Sequence, residues 1–221
     1  MQPTEYPGVF HRGDKLFTVN PPACQGTTVY GEHLVAEDDV EYRSWNPYRS
    51  KLAAAILKKL PVNIPTAFTA LYLGAATGTT VSHLADIVSD GTVYAVESAP
   101  LAMAKLLVVS EKRRNIIPIL EDANHPDRYT SMVPSVDLVY QDIAQRNQAD
   151  IFLQNLQWFL KPRGIGVLMV KARSIDVALP PKQAYLQVGQ ILQQKGYVVE
   201  KTMELGPYDK DHAVFLVRPR S

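Results

Sequence analysis

The stretch LYLGAATGTTVSHLADI (71–87) contains the features that decide the fold. An apolar run typical of a buried strand ends at Gly74, and a helical pattern begins at Thr79. Between them, Gly74, Ala76 and Gly78 leave room for a ligand to approach the backbone and the start of the helix. The spacing is G-x-x-x-G, not the G-x-G-x-x-G of dinucleotide-binding turns, and no lysine follows Gly78 as it would in a P-loop. The stretch therefore predicts a strand–turn–helix unit with space for a ligand, and it disfavours a dinucleotide.

Outward from this unit, strands and helices alternate along the chain. The predicted strands and helices cover residues 67–74, 79–89, 92–98, 99–113, 115–120, 135–142, 149–160, 164–171 and 182–195. Two final strands, 197–205 and 213–218, have no helix between them, so we expect an antiparallel hairpin. The pattern predicts an α/β fold with a mostly parallel seven-stranded sheet, helices on both faces and an antiparallel last strand. This arrangement resembles the Rossmann-like class I methyltransferase architecture.

The first part of the chain has a different pattern. Short β-like segments over residues 8–13, 15–20 and 27–35 are separated by prolines and glycines. They predict a small N-terminal β-sheet domain over residues 1–45, too small to hold a core alone and therefore packed on the rest. Residues 46–221 are predicted to form the larger domain. Its first helix, YRSKLAAAILKKL (48–60), is expected to start at Asn46-Pro47, with Asn46 as the N-cap.

Composition and charge exclude several classes of protein. The chain has 221 residues, of which 46% are hydrophobic, so a sizeable core is possible, and its net charge of +1 excludes an overall electrostatic attraction for nucleic acid. The single cysteine, Cys24, excludes an intrachain disulfide and a cysteine-based metal centre. The histidines lack metal-ligand spacing, so no metal is predicted. No apolar run reaches the about 20 residues of a membrane span, and no secretory signal is recognisable, so we expect a soluble intracellular protein.

Acidic residues follow the second and third predicted strands. Glu97 ends the second strand, where a carboxylate can bind both ribose hydroxyls of an adenosine. Asp122 and Ala123 follow the third strand and place a hydrogen-bond acceptor beside an apolar residue, which suits an adenine edge. With the G-x-x-x-G turn, these residues predict S-adenosylmethionine as the cofactor and residues 46–221 as an S-adenosylmethionine-dependent methyltransferase domain. The alternative is that the glycines serve only turn geometry and the acids are solvated.

Four polar residues are expected at the edge of the sheet where the ligand should bind. Asp142 and Lys171 end the fourth and fifth strands, and His212 precedes the antiparallel last strand. Lys51 lies in the first turn of the helix before the sheet. Lys171 follows an apolar run and should be partly desolvated. The structural alternatives are a helix cap for Asp142 and an exposed surface position for Lys51 and for His212.

Several segments of the chain resemble the fibrillarin family, and more narrowly its archaeal form: WNPYRSKLAAAI (45–56), LYLGAATGTTVSHLADI (71–87), VYAVE (93–97), EDANHP (121–126), DLVYQDIAQRNQ (137–148) and PYDKDHAVFLV (207–217). The resemblance extends over essentially the whole chain. It implies that the catalytic residues are Lys51, Asp142, Lys171 and His212. It also implies that the cofactor contacts Thr79, Thr80, Glu97, Ser98, Asp122, Ala123, Asp142, Ile143, Ala144 and Gln145.

The resemblance further implies ribose 2′-O-methylation of rRNA and tRNA, directed by a box C/D guide RNA. The implied partners are a Nop-domain scaffold protein and a kink-turn-binding ribosomal-type protein. We expect Lys171 to contact the 2′-oxygen, either as a base or as a stabiliser of the alkoxide. An archaeal form implies a cytoplasmic location, and a truncated eukaryotic form would be nucleolar. Two alternatives stay open, a methyltransferase for a small molecule or a protein and a non-catalytic ribonucleoprotein subunit.

Overall fold

The computed structural model describes residues 1–220, and its strands form two separate sheets. The smaller sheet is antiparallel throughout and has the strand order β1-β2-β3-β5-β4. It lies entirely in the N-terminal part of the chain, and its strands are β1 (Gln2–Pro3), β2 (Val9–Arg12), β3 (Lys15–Val19), β4 (Leu34–Glu37) and β5 (Val40–Trp45).

The larger sheet has seven strands in the order β11-β12-β10-β9-β6-β7-β8. Its strands are β6 (Thr69–Leu73), β7 (Thr92–Glu97), β8 (Ile116–Leu120), β9 (Val136–Gln141), β10 (Leu160–Lys171), β11 (Tyr197–Glu204) and β12 (His212–Pro219). Strands β6 to β10 pair in parallel, whereas β12 runs antiparallel to both of its neighbours. The prediction of a mostly parallel sheet with an antiparallel last strand is confirmed. The start of β12 therefore lies at the edge where the parallel strands end.

Helices cover both faces of the larger sheet. They are α1 (Lys51–Leu57), α2 (Thr79–Ile87), α3 (Pro100–Lys112), α4 (Gln148–Phe159), α5 (Ala172–Ile175) and α6 (Pro181–Gln194), with short 3₁₀ turns at Pro22–Cys24 and Pro126–Tyr129. Buried apolar residues of α1, α2 and α3 pack on one face, and those of α4 and α6 pack on the other. In the described residues, no helix combines the length and apolar character needed to cross a membrane.

The first helix starts later than the sequence predicts. Helix α1 begins at Lys51, and its N-cap is Ser50, whose hydroxyl accepts a hydrogen bond from the amide of Ala53 at 3.4 Å. Asn46 instead accepts a hydrogen bond from the amide of Tyr48 at 2.8 Å, which closes a turn. The prediction of Asn46 as N-cap was wrong because an asparagine side chain caps a turn as readily as a helix.

The N-terminal sheet also differs from the expected pattern. The predicted strand over residues 27–35 is irregular up to His33, and β5 was not predicted at all. Glu32 explains the difference. Its carboxylate accepts hydrogen bonds from the backbone amides of Val29 and Tyr30, and it forms an ion pair with Arg43 at 2.6 Å. This acidic side chain turns inward and organises a loop where alternating apolar residues suggested a strand.

A buried group of charges joins the small sheet to helices that cover the larger sheet. Asp86 of α2 bonds to Arg43 of β5 and, at 2.9 Å, to Arg113 just after α3. All three side chains are almost completely buried, with exposed fractions of 0%, 0% and 2%. Because a buried charge must be paired, these contacts hold the two parts in one relative position.

His83 of α2 lies beside this group and is fully buried. Its ring stacks on Trp45 of β5 with 5.0 Å between centroids, and its two nitrogens contact the hydroxyls of Thr18 and Tyr30 at 2.7 and 2.8 Å. Burial lowers the pKa of His83 well below its ordinary value, and the nearby guanidinium of Arg43 lowers it further. His83 therefore belongs to the junction between the two sheets.

Candidate active site

A cleft of about 300 Å³ opens at the edge where β6, β7, β8 and β9 end. Most of the residues that the sequence predicts for the cofactor line it, and Val96 and Glu121 join them. The lining residues are Gly74, Ala76, Val96, Glu97, Ser98, Glu121, Asp122, Ala123, Asp142, Ile143, Ala144 and Gln145. The volume is at the lower end of the range for small-molecule sites.

The turn after β6 brings backbone close to the floor of the cleft. Gly74 has a φ of +81°, and a Cβ there would lie 2.6 Å from the carbonyl oxygen of Asp142. No side chain fits this position, so glycine is required by contact as well as by backbone conformation. Ala76 has a φ of +48°, a strained value for a residue with a side chain.

Glu97 at the end of β7 stabilises this turn. Its Oε2 accepts a hydrogen bond from the backbone amide of Ala76, and its Oε1 accepts one from the backbone amide of Ala99, each at 2.8 Å. Two backbone donors therefore hold the carboxylate, and each oxygen keeps a lone pair for a ligand hydroxyl. The prediction of Glu97 as a ribose ligand is consistent with this orientation.

Asp122 has a similarly organised carboxylate in the segment after β8, the neighbour of β7. Its Oδ1 accepts hydrogen bonds from the backbone amide and the side-chain amide of Asn124, at 2.9 and 2.8 Å. These bonds from Asn124 lower the pKa of Asp122 below its ordinary value. The carboxylate is thus kept as an acceptor beside the buried, apolar Ala123.

Three of the predicted cofactor residues do not line the cleft. Gly78 is the N-cap of α2 and packs against Val109 of α3. Thr79 is the first residue of α2, and the hydroxyl of Thr80 donates to Ser50 at 3.1 Å. Thr80 therefore connects α2 to the start of α1, which holds Lys51.

The structure brings Lys51 and Asp142 into contact beside the cleft. Lys51 Nζ lies 2.9 Å from Asp142 Oδ1 and 3.7 Å from Asp209 Oδ2, and Asp209 Oδ1 lies 2.7 Å from His212 Nδ1. Asp142 is fixed by its amide, which donates to the carbonyl of Leu73 at 3.0 Å. Three of the four predicted catalytic residues are thus connected: ion pairs join Lys51 to Asp142 and Asp209, and a close contact joins Asp209 to His212.

Lys171, the fourth, ends β10 and is partly buried. It stands directly opposite His212 in the antiparallel pairing of β10 and β12, so their side chains share one face of the sheet. Its backbone is held by Gln148, whose Oε1 accepts the Lys171 amide at 2.9 Å and whose Nε2 donates to the Lys171 carbonyl at 3.1 Å.

The sequence prediction missed three residues at this edge. Asp209 joins Lys51 to His212, and Gln148 fixes the backbone of Lys171. Tyr48 is 68% exposed beside α1 and meets Tyr208 edge to face, with 5.3 Å between ring centroids. The segment PYDKDH contained the only signal for Asp209, a carboxylate three residues before His212.

The acidic side chains at this edge do not form a metal site in the described residues. Across the described range 1–220, no group of three or more His, Cys, Asp or Glu side chains is arranged to hold a metal ion. The carboxylates at the cleft contact backbone amides and ammonium groups instead.

Comparisons with known proteins give a consistent picture. The family model described as Fibrillarin matches residues 1–221. A fibrillarin-like rRNA/tRNA 2′-O-methyltransferase from Methanocaldococcus jannaschii is 48% identical over 193 residues, which cover 87% of this chain and 84% of the relative.

Solved structures with the same fold are also similar. The chain in a fibrillarin/Nop5p complex is 42% identical, with a TM-score of 0.89 and coverage of 97% of this chain and 98% of that one. Aeropyrum pernix fibrillarin with natively bound S-adenosyl-L-methionine is 41% identical, with a TM-score of 0.87 and coverage of 98% and 96%.

Proposed function

The chain belongs to the fibrillarin family, and on that premise we propose that it is an S-adenosylmethionine-dependent methyltransferase acting on ribose 2′-hydroxyls of rRNA and tRNA. The observation that carries this proposal is the contact between Lys51 and Asp142 at the mouth of the cleft. It puts an ammonium and a carboxylate where a cofactor in the cleft would meet a substrate from outside. Lys171 and His212 come from the adjoining strands.

The residues of the cleft fit an adenosyl cofactor. Glu97 offers oriented carboxylate oxygens for the ribose, and Asp122 offers an ionised acceptor beside Ala123 for the adenine. Gly74 has no side chain, so a ligand in the cleft can approach the backbone of the turn. Asp142 would face the methionine end, since it lies in both the cleft and the contact with Lys51.

The chemistry of the reaction assigns different work to the protein and the cofactor. S-adenosylmethionine supplies, when bound, a methyl group on a positively charged sulfur. A ribose hydroxyl is a poor nucleophile, so the protein must align it and assist the loss of its proton. We assign this to Lys171, which accepts the proton or stabilises the developing alkoxide. Asp142 orients the charges around it, and Lys51 and His212 hold the ribose or its phosphate.

Recognition of the target needs partners. The net charge of +1 gives little counterion-release affinity for RNA. We therefore propose that a box C/D guide RNA selects the ribose by base pairing. A Nop-domain scaffold, such as the Nop5p found with a 42% identical relative, and a kink-turn-binding ribosomal-type protein would bring the enzyme to it.

A reconstitution experiment tests this function. The chain is assembled with a Nop5-type scaffold, a kink-turn-binding protein and a guide RNA, and transfer of labelled methyl groups to a complementary target is measured. We expect one 2′-O-methyl group at the guided ribose, and little transfer to the same RNA by the isolated chain. Efficient transfer to unguided RNA, or none by the complete particle, would contradict the proposal. The latter result would favour a small-molecule or protein substrate or a non-catalytic subunit.

Glu97→Ala is expected to weaken cofactor binding. Two hydrogen bonds to a charged acceptor are lost, at about 1.5–3 kcal/mol each, which corresponds to a rise in the dissociation constant of about 10²- to 10⁴-fold. Titration calorimetry with S-adenosylmethionine measures the effect. Glu111→Ala on the exposed side of α3 removes the same charge away from the cleft and should bind normally. An unchanged affinity in Glu97→Ala would exclude Glu97 from the cofactor site.

A further inference from the structure

The loop between β11 and β12 carries a carboxylate that links two distant parts of the site. Asp209 Oδ1 lies 2.7 Å from His212 Nδ1, and Asp209 Oδ2 lies 3.7 Å from Lys51 Nζ. Lys51 belongs to helix α1 and His212 to strand β12, the last strand of the larger sheet. One side chain thus uses both of its oxygens to set the relative position of two predicted catalytic residues.

The contacts of His212 determine which ring nitrogen faces the substrate. Nδ1 lies within hydrogen-bonding distance of two acceptors, Asp209 Oδ1 at 2.7 Å and the carbonyl oxygen of Lys210 at 2.8 Å. Because neither group can donate, Nδ1 carries a proton. Nε2 is then the nitrogen left to bind a ribose or phosphate group, an arrangement in which a carboxylate orients an imidazole for its task.

The contacts of Lys51 lead to a related conclusion. Its ammonium lies between Asp142 at 2.9 Å and Asp209 at 3.7 Å, and these side chains are between one-fifth and one-third exposed. Ion pairs with this exposure add little stability. Their effect is geometric, since a second carboxylate restricts where a long, flexible lysine places its charge.

We propose that Asp209 is a positioning residue for methyl transfer, acting through His212 and Lys51 and not on the substrate itself. This inference rests on the proposed function. His212 is the register partner of Lys171 across β10 and β12. The orientation of the imidazole therefore controls the space in which the target hydroxyl meets the amino group of Lys171.

Asp209→Ala in the reconstituted particle is the first test. We expect kcat to fall on the order of 100-fold, the effect of misplacing reacting groups. KM for the target RNA, affinity for S-adenosylmethionine and Tm should stay unchanged, and Asp209→Glu should restore part of the rate. Asp211→Asn is the matched control, because Asp211 pairs with Arg173 at 3.2 Å and has a φ of +57°, which asparagine tolerates.

A double-mutant comparison separates positioning from a general structural role. If Asp209 acts through His212 and Lys51, Asp209→Ala should cost little further rate in a chain that already carries Lys51→Ala and His212→Ala. A normal kcat in Asp209→Ala, a fully additive loss, or a loss matched by weaker cofactor binding and a lower Tm would each overturn the proposal.

Imidazole ¹⁵N NMR spectra of the isolated protein test the contact between Asp209 and His212 independently of methyl transfer. The Nδ1-protonated form of His212 should dominate in the unchanged protein and in Asp209→Ala, because the Lys210 carbonyl accepts the Nδ1 proton in both. The resonance of Nδ1 should nevertheless shift in Asp209→Ala, because the carboxylate 2.7 Å from Nδ1 is removed. An identical spectrum in the variant overturns the role of Asp209. If instead the spectra change as expected and the unchanged particle transfers no methyl group, the proposed function fails while the contact between Asp209 and His212 stands.

Discussion

Lys171→Ala is expected to lower methyl transfer about 10²- to 10⁴-fold, the range for losing a general acid–base group. The fold should persist, because Gln148 binds only backbone atoms of Lys171. Cofactor affinity should also persist, since Lys171 is not among the residues that line the cleft. Single-turnover transfer in the assembled particle and separate titration with S-adenosylmethionine measure the two effects. Normal turnover would remove Lys171 from the mechanism.

Two further variants sharpen this result. Lys161→Ala changes the lysine at the other end of β10, where it pairs with Asp137 at 2.8 Å, and should leave the rate unchanged. Lys171→Arg keeps the positive charge but cannot give up its proton. An inactive arginine variant would favour Lys171 as the base, whereas an active one would favour stabilisation of the alkoxide.

Asp86→Ala is expected to reduce the free energy of unfolding by about 3–5 kcal/mol, the cost of removing one member of a buried ion pair. The guanidinium of Arg113 would stay buried without a carboxylate, and that of Arg43 would keep only Glu32 as its partner. Urea unfolding followed by far-UV circular dichroism measures the change. A loss of less than about 1 kcal/mol, the value of an exposed pair, would show that the buried charges do not hold the sheets together.

Glu200→Ala is the matched control for this loss of stability. Glu200 pairs with Arg218 at 2.8 Å on the surface, where both side chains are more than one-third exposed. Its removal should cost at most about 1 kcal/mol. The comparison separates the effect of burial from the effect of removing a carboxylate.

Much of the larger sheet could be predicted from the sequence because its signals are local. Strands such as β6 are apolar almost without interruption, and short turns separate them from helices with 3.6-residue periodicity. The order of the elements then determines which strand ends share an edge. This is why Asp142 and Lys51 could be expected near each other although 91 positions separate them.

The features that could not be predicted depend on contacts between side chains that are far apart in the sequence. Strand β5 was missed because one of its two buried residues, Arg43, is charged and is buried only through partners in α2 and the loop at Glu32. The same limitation applies to Asp209, whose importance comes from two residues that only the fold brings near it. Thr80 was predicted to contact the cofactor because it follows the glycine turn in sequence. In the structure its hydroxyl instead donates a hydrogen bond to Ser50.

The short connection between the small sheet and helix α1 has a consequence for protein engineering. Trp45 ends β5 and Lys51 begins α1, so residues 46–50 alone separate the small sheet from a predicted catalytic lysine. Exchanging the small sheet between homologues would shift Lys51 unless the residues of α2 that receive Arg43 and Trp45 were exchanged with it. A chimera without those residues would retain the cleft proposed for the cofactor but lose the alignment needed for turnover.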